Sequence, residues 1–98
     1  MRILVVEDEA SLREGLVDLL MDAGHTVSSV ADGEAAVKEG LEREFDLVLL
    51  DLMLPRMDGF EVCRRLREKD PTLGVLMLTA RGDESDKVRG LRLGADDY

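Results

Sequence analysis

The chain has little that could staple or anchor it. Cys63 is its single cysteine, so no internal disulfide is available, which agrees with a reducing compartment. No apolar stretch approaches the roughly 20 residues needed to cross a bilayer. Met1-Arg2 leads straight into a four-residue apolar run with an acidic pair behind it. No signal peptide is therefore expected, and the chain reads as cytoplasmic with no membrane partner. Positive charge is also scarce: 13 Lys and Arg stand against 22 Asp and Glu, a formal net charge of −9. Such a domain repels phosphate backbones, so direct nucleic-acid binding by this segment is not expected. Arg64, Arg65 and Arg67 form the one basic cluster, but on a helix they point to different sides, and Glu61 and Glu68 neutralise part of it. A glycine-rich turn after the first apolar run is missing as well. Glu7-Asp8-Glu9 stands there instead, and acids at that point repel a pyrophosphate, which argues against a dinucleotide-binding domain. Repeats, low-complexity tracts and linkers are absent.

What is present is one domain at most, 98 residues with a 45% apolar share. Short apolar runs alternate with helical patterns, which predicts βαβ units and a parallel sheet. Ile3-Leu4-Val5-Val6 runs into Glu7-Asp8, Leu47-Val48-Leu49-Leu50 into Asp51, and Val75-Leu76-Met77-Leu78 into Thr79. Runs so short and so apolar predict strands buried on both faces. A weaker strand is expected over 26–30. Between the strands, Leu12, Leu16, Leu19, Leu20 and Ala23 fall on one helical stripe, which Gly24 ends. Asp32-Gly33 opens a second helix with Ala36, Val37, Gly40 and Leu41 inward, in close approach to the sheet. Asp58 with Glu61 makes a capping-box-like start for a third, which buries Phe60, Cys63 and Leu66. Asp70-Pro71 breaks the chain before the fourth strand. A fourth helix is expected over 85–93, with Val88 and Leu91 inward and Gly94 as its stop; Asp96-Asp97-Tyr98 begins a fifth strand. Crossovers should be right-handed. An order that sets the first and third strands side by side brings Asp8 next to Asp51 at the topological switch point, outside the carboxyl ends of the strands, where open α/β sheets hold their ligands.

If Glu7, Asp8 and Asp51 converge there, they repel one another, and at least one pKa rises unless a cation joins them. Oxygen-only ligands suit a hard divalent ion, with Mg²⁺ first because it uses one or two carboxylates, waters and a phosphate. An Asp carboxylate is a competent nucleophile toward phosphorus. Thr79 offers a hydroxyl to a phosphoryl oxygen. Each acid taken alone is equally suited to capping the next helix, Asp8 or Glu9 the first one. Three strand ends together favour a site. His25 reads as a solvated loop residue rather than a phosphorelay histidine, and Cys63 as a buried packing thiol. The five Met read as core filler.

These segments resemble a response-regulator receiver domain, the phosphorylatable CheY-like module of two-component signalling. The match runs through Ile3-Leu4-Val5-Val6-Glu7-Asp8-Glu9, then Leu47-Val48-Leu49-Leu50-Asp51-Leu52-Met53-Leu54-Pro55-Arg56-Met57-Asp58-Gly59. It continues in Leu76-Met77-Leu78-Thr79-Ala80-Arg81 and Gly94-Ala95-Asp96-Asp97-Tyr98. The wording of Ala80-Arg81-Gly82 and Gly94-Ala95-Asp96-Asp97-Tyr98 is similar to the OmpR/PhoB transcription-factor group. The resemblance implies an α/β, flavodoxin-like parallel sheet of order 2-1-3-4(-5). It also implies that Asp51 accepts a phosphoryl group from a sensor histidine kinase. Asp8 holds Mg²⁺ directly, Glu7 largely through water, and the backbone carbonyl of Met53 is a further ligand. Thr79 contacts the phosphoryl group and moves on activation, Tyr98 is the aromatic switch, and Met53 and Arg81 tune autodephosphorylation. Such a domain is not an enzyme in its own right, although it assists its own phosphorylation and dephosphorylation. It switches a downstream output, transcription for this group.

Family members run to on the order of 120 residues for five βα units. Residues 1–98 are thus expected to form a receiver truncated at the start of its fifth strand, without most of that strand, the fifth helix and the lysine that follows the aromatic residue. Lys38, Lys69 and Lys87 fall in or beside predicted helices and do not replace it. The apolar fourth strand would then be an open edge, and self-association as a homodimer or larger species is expected. Two other functions stay open. One is a scaffold of receiver fold that is not phosphorylated. The other is a haloacid-dehalogenase-like phosphohydrolase, which needs an acid two residues after its nucleophile; that position is Met53.

Overall fold

Side chains alternate across a strand, so each apolar run is divided between two faces of a sheet. In the computed structural model, which describes residues 1–51 and 57–78, this division builds the core. Leu4 and Val6 of β1 (Arg2–Val6), Val48 and Leu50 of β3 (Leu47–Asp51), and Val75 and Met77 of β4 (Gly74–Leu78) share one face. That face is covered by α2 (Gly33–Glu42) and α3 (Gly59–Lys69), which contribute Ala36, Phe60, Val62, Cys63 and Leu66. Ile3, Val5 and Leu49 lie on the opposite face under Leu16, Val17 and Leu20 of α1 (Ala10–Asp22). The sheet is parallel throughout, in the order β2-β1-β3-β4, with β2 (Thr26–Val30) at one edge. This is the expected flavodoxin-like order. The weaker hydrophobicity of β2 follows from its edge position, where residues are at most half-buried. Cys63 is fully buried, as its stripe predicts. His25 sits partly exposed after Gly24, the glycine whose positive φ of 94° ends α1. The segments expected to form a fourth helix and a fifth strand lie outside the described residues. Among the described residues no helix is long and apolar enough to cross a membrane.

Four expectations are corrected. Met1 is 60% and Met21 57% exposed, so neither fills the core. The apolar stripe of α1 is wider than its contact with the sheet. Leu16, Val17 and Leu20 face the sheet, whereas Leu12 is 49% and Leu19 66% exposed, and Ala23 is exposed with them. The 3.6-residue period sets Leu12, Leu19 and Ala23 along one flank, to the side of the contact. On α2, Leu41 is 50% exposed rather than inward, because the helix meets its neighbours through small residues. Gly40 approaches Leu66 and Gly33 approaches Met57 and Val62, so the close approach is to α3 and the segment before it, while Ala36 meets the sheet. The capping box at α3 is half-formed. Asp58 accepts from the Phe60 N–H at 2.8 Å, but Glu61 turns outward to Arg64 and Arg65. Hydrogen bonds from Arg64 first and Arg65 second hold the Glu61 carboxyl down at about 2. The competition is won by two guanidinium groups one turn away, a stronger set of donors than one backbone N–H.

The bottom of the α2–α3 layer is joined by Lys69, whose ammonium donates to the carbonyls of Gly40 at 2.9 Å and Arg43 at 3.0 Å. These are carbonyls at the C-terminal end of α2, where a cation also complements the helix dipole. Truncating a buried strand residue and a flank residue should separate the two environments of apolar side chains. Leu4→Ala is expected to lower the unfolding free energy by about 2–5 kcal/mol. Leu19→Ala is expected to change it by less than about 0.5 kcal/mol. Urea denaturation of the two variants reads the difference.

Candidate metal and phosphoryl site

The site follows from strand register. β1 pairs with β3 with Val6 opposite Leu50, so the residues that come next, Glu7 and Asp51, leave the sheet side by side. The Glu7 N–H donates to the Val30 carbonyl at 3.1 Å, which ties the same point to β2. Asp51 pairs with Leu78 on its other side. Glu7, Asp8 and Asp51 each offer a carboxylate oxygen, and these atoms all lie within 4.8 Å of one another. Glu7 is buried at 4% exposure, Asp51 half-buried and Asp8 exposed, so the cluster opens from a dry floor to solvent.

The turn that carries Asp8 is fixed by its own hydrogen bonds. Glu9 is the cap of α1, accepting from the N–H groups of Ser11 at 3.1 Å and Leu12 at 2.7 Å. The choice between Asp8 and Glu9 as cap thus falls to Glu9, and Asp8 stands with the cluster. Glu7 accepts from the Glu9 N–H at 3.1 Å. The Arg13 guanidinium donates to the Glu7 carbonyl at 3.0 Å and holds the strand end against α1. Sequence reading passed over Arg13. Its signal is position: it precedes Leu16 and Val17 by one turn, so a cation occupies the sheet-facing side of an otherwise apolar stripe.

Burial first of all drives the Glu7 carboxyl upward, from its ordinary 4.5 to about 7. Hydrogen bonds shared with Asp51 and Asp8 and the charge of Asp51 push the same way, against the Glu9 N–H, which pulls it down. Below about pH 7 the cluster therefore holds a proton that a cation could replace. Three oxygen donors and no nitrogen or sulfur make a hard set, which fits Mg²⁺ better than a transition metal. Asp8 and Asp51, the more open acids, would be its direct ligands, with Glu7 beneath them. Thr79, Tyr98 and Met53, also expected at this site, lie outside the described residues.

Residues 3–98 match the family model described as "Response regulator receiver domain". The transcriptional regulatory protein TcrA of Mycobacterium tuberculosis is 54% identical over 97 residues, which are 99% of this chain and 38% of that protein. The chain thus spans about two-fifths of such curated relatives. Among solved structures, a CheY-like receiver domain protein from Methanospirillum hungatei JF-1 superimposes with a TM-score of 0.95 at 28% identity, over 99% of this chain and 78% of that one. The response regulator TrrA of Thermotoga maritima, solved in complex with Mg²⁺ and BeF, gives a TM-score of 0.89 at 34% identity, over 99% and 83% of the two chains.

The raised Glu7 pKa has a sign that can be tested. Between about 4.5 and about 7 the folded chain binds a proton that the unfolded chain has lost. Metal-free stability is therefore expected to fall as pH rises through that window. Urea midpoints measured at successive pH values should show the decline, and Glu7→Gln should flatten it. A Glu7→Gln chain with the wild-type slope would remove Glu7 as the cause.

Proposed function

The chain belongs to the response regulator receiver family, and from that premise we propose that Asp51 is the acceptor of a phosphoryl group donated by a sensor histidine kinase. The observation that carries this reading is the meeting of Glu7, Asp8 and Asp51 at adjacent strand ends. In the transfer, an oxygen of the Asp51 carboxylate forms the new bond to phosphorus. The bond from phosphorus to the donor imidazole nitrogen breaks, and that nitrogen keeps the electron pair and takes a proton from solvent. Asp51 is half-buried, which strips part of its water while leaving a face open to the donor. Glu7 and Asp8 repel an incoming phosphoryl group unless their charge is offset. Mg²⁺, when bound, supplies that offset and neutralises charge developing on the phosphoryl oxygens. Asp8 and Asp51 would hold it, with Glu7 acting largely through water and the Met53 carbonyl adding a ligand. Thr79 would donate its hydroxyl to a phosphoryl oxygen and Tyr98 would respond to the movement of Thr79, both from their place in the family's motif.

TcrA is, by name, a transcriptional regulatory protein. Our reading for this chain is the same: it changes state, and a DNA-binding output reads the change. A cytoplasmic location follows, since the proposed donor, output and Mg²⁺ all belong there. The exposed flank of Leu12 and Leu19 supports self-association as a further property. Light scattering is expected to show apparent mass rising with concentration, and a constant monomer mass would end that idea.

Incubation with Mg²⁺ and acetyl phosphate tests the main reading directly. Mass spectrometry is expected to find an adduct of one phosphate in the wild-type chain and none in Asp51→Asn. An adduct that survives in Asp51→Asn would place the acceptor elsewhere. Absence of any adduct while Mg²⁺ still binds would favour the unphosphorylated scaffold, and continuous phosphate release would favour a hydrolase.

A further inference from the structure

We infer that Arg13 is a positioning residue for Asp8, acting through the peptide unit that joins Glu7 to Asp8; the inference rests on the reading of the acidic cluster as a Mg²⁺-assisted phosphoacceptor site. Three successive peptide units carry the chain from β1 toward α1, and each has a partner. The unit that enters Glu7 is tied to β2, its N–H donating to the Val30 carbonyl at 3.1 Å. The unit between Glu7 and Asp8 presents its carbonyl to the Arg13 guanidinium, which donates to it at 3.0 Å. The unit between Asp8 and Glu9 donates its N–H to the Glu7 carboxylate at 3.1 Å.

A peptide unit is planar, so a partner that fixes its carbonyl also fixes the direction in which the next Cα leaves it. Arg13 can thus orient Asp8 without touching the Asp8 side chain. Asp8 is exposed, and its direction is set by the two units that meet at its Cα. One of these is held by Glu7, an acid of the cluster, whose carboxylate a bound cation would also attract. The other is held by Arg13. Among the described residues Arg13 is the side chain that steadies Asp8 and is not itself an acid of the cluster.

The place of Arg13 in α1 agrees with this role better than with that of a solvated helix cation. It is half-buried, while its neighbours Leu12 and Glu14 are exposed. Its own N–H donates to the carbonyl of the cap Glu9 at 2.9 Å, so the guanidinium reaches back from a turn that is already closed. Charge and position also act in opposite directions here. A cation beside a metal site opposes the metal, so loss of the Arg13 charge alone would tighten Mg²⁺ binding. Loss of the hold on Asp8 would weaken it.

Arg13→Met tests the inference with two readouts. One is the Mg²⁺ dissociation constant by calorimetry, and the other is the backbone amide resonance of Asp8 in metal-free protein. Arg13→Met is expected to weaken Mg²⁺ binding about tenfold, the scale of a lost supporting contact, and to move the Asp8 amide. Arg13→Lys is expected to recover most of the loss, because one carbonyl needs one cationic donor and not a guanidinium fork. Leu20→Ala loosens α1 on the sheet without touching the turn, and is expected to lower stability while leaving Mg²⁺ affinity and the Asp8 amide unchanged. Unchanged or tighter Mg²⁺ binding in Arg13→Met would overturn the inference, as would an unmoved Asp8 amide or an equal loss of affinity in Leu20→Ala. Should the wild-type chain take up no Mg²⁺, the metal part of the phosphoacceptor reading fails, and the Asp8 amide alone decides for Arg13. Arg13→Gln, neutral and too short to span the same gap, serves with the same outcomes if Arg13→Met does not fold.

Discussion

Everything at the functional end of this molecule depends on the parallel pairing of β1 with β3. Val6 stands opposite Leu50, so the first residues past the apolar runs emerge together. A one-residue slip in that register would turn every apolar side chain to the other face and send Glu7 away from Asp51. The register is held because both faces are covered. Leu4, Val6, Val48 and Leu50 are buried under α2 and α3, and Ile3, Val5 and Leu49 under α1. The packing that stabilises the sheet is the same packing that concentrates negative charge at the ends of its central strands.

That concentration is unfavourable for the fold taken alone. A carboxyl at 4% exposure beside two further acids is stable only by keeping a proton or by sharing a cation. The short turn after β1 limits how far the acids can relax. Glu9 is committed to capping α1, and Arg13 grips the Glu7 carbonyl. A metal-free cluster is in this sense a site under electrostatic load, arranged before any ligand arrives.

Much of this was legible in the sequence for a simple reason. Fully buried parallel strands are short, unbroken and apolar, and their polar endings mark the strand termini, so β1, β3, β4 and the meeting of Glu7, Asp8 and Asp51 could be read directly. Helix orientation was less legible. Periodicity shows that Leu12, Leu16, Leu19 and Leu20 share a broad side of α1, but not which part of it touches the sheet. The same holds for Leu41, where small residues let α2 lean toward α3. Glu61 had two sets of possible partners, and spacing alone does not rank a backbone N–H against two arginines. Gly33 beside Asp32 looked like an ordinary helix opening. Its crowding against Met57 is a fact of three dimensions that no local pattern carries.

Lys69 closes the opposite end of the molecule. Its ammonium links α3 to two carbonyls near the end of α2, while Gly40 lets the Leu66 side chain lie close against the same stretch. Fraying of α2 would strand that ammonium without its acceptors and open a void beside Leu66, so neither helix can loosen alone at small cost. Among the described residues the two helical layers are thereby unequal: α2 and α3 form one cooperative slab, and α1, seated by Leu16, Val17 and Leu20, is a separate leaf. Thermal motion that reaches the acidic turn between β1 and α1 can enter through the leaf without first breaking the slab.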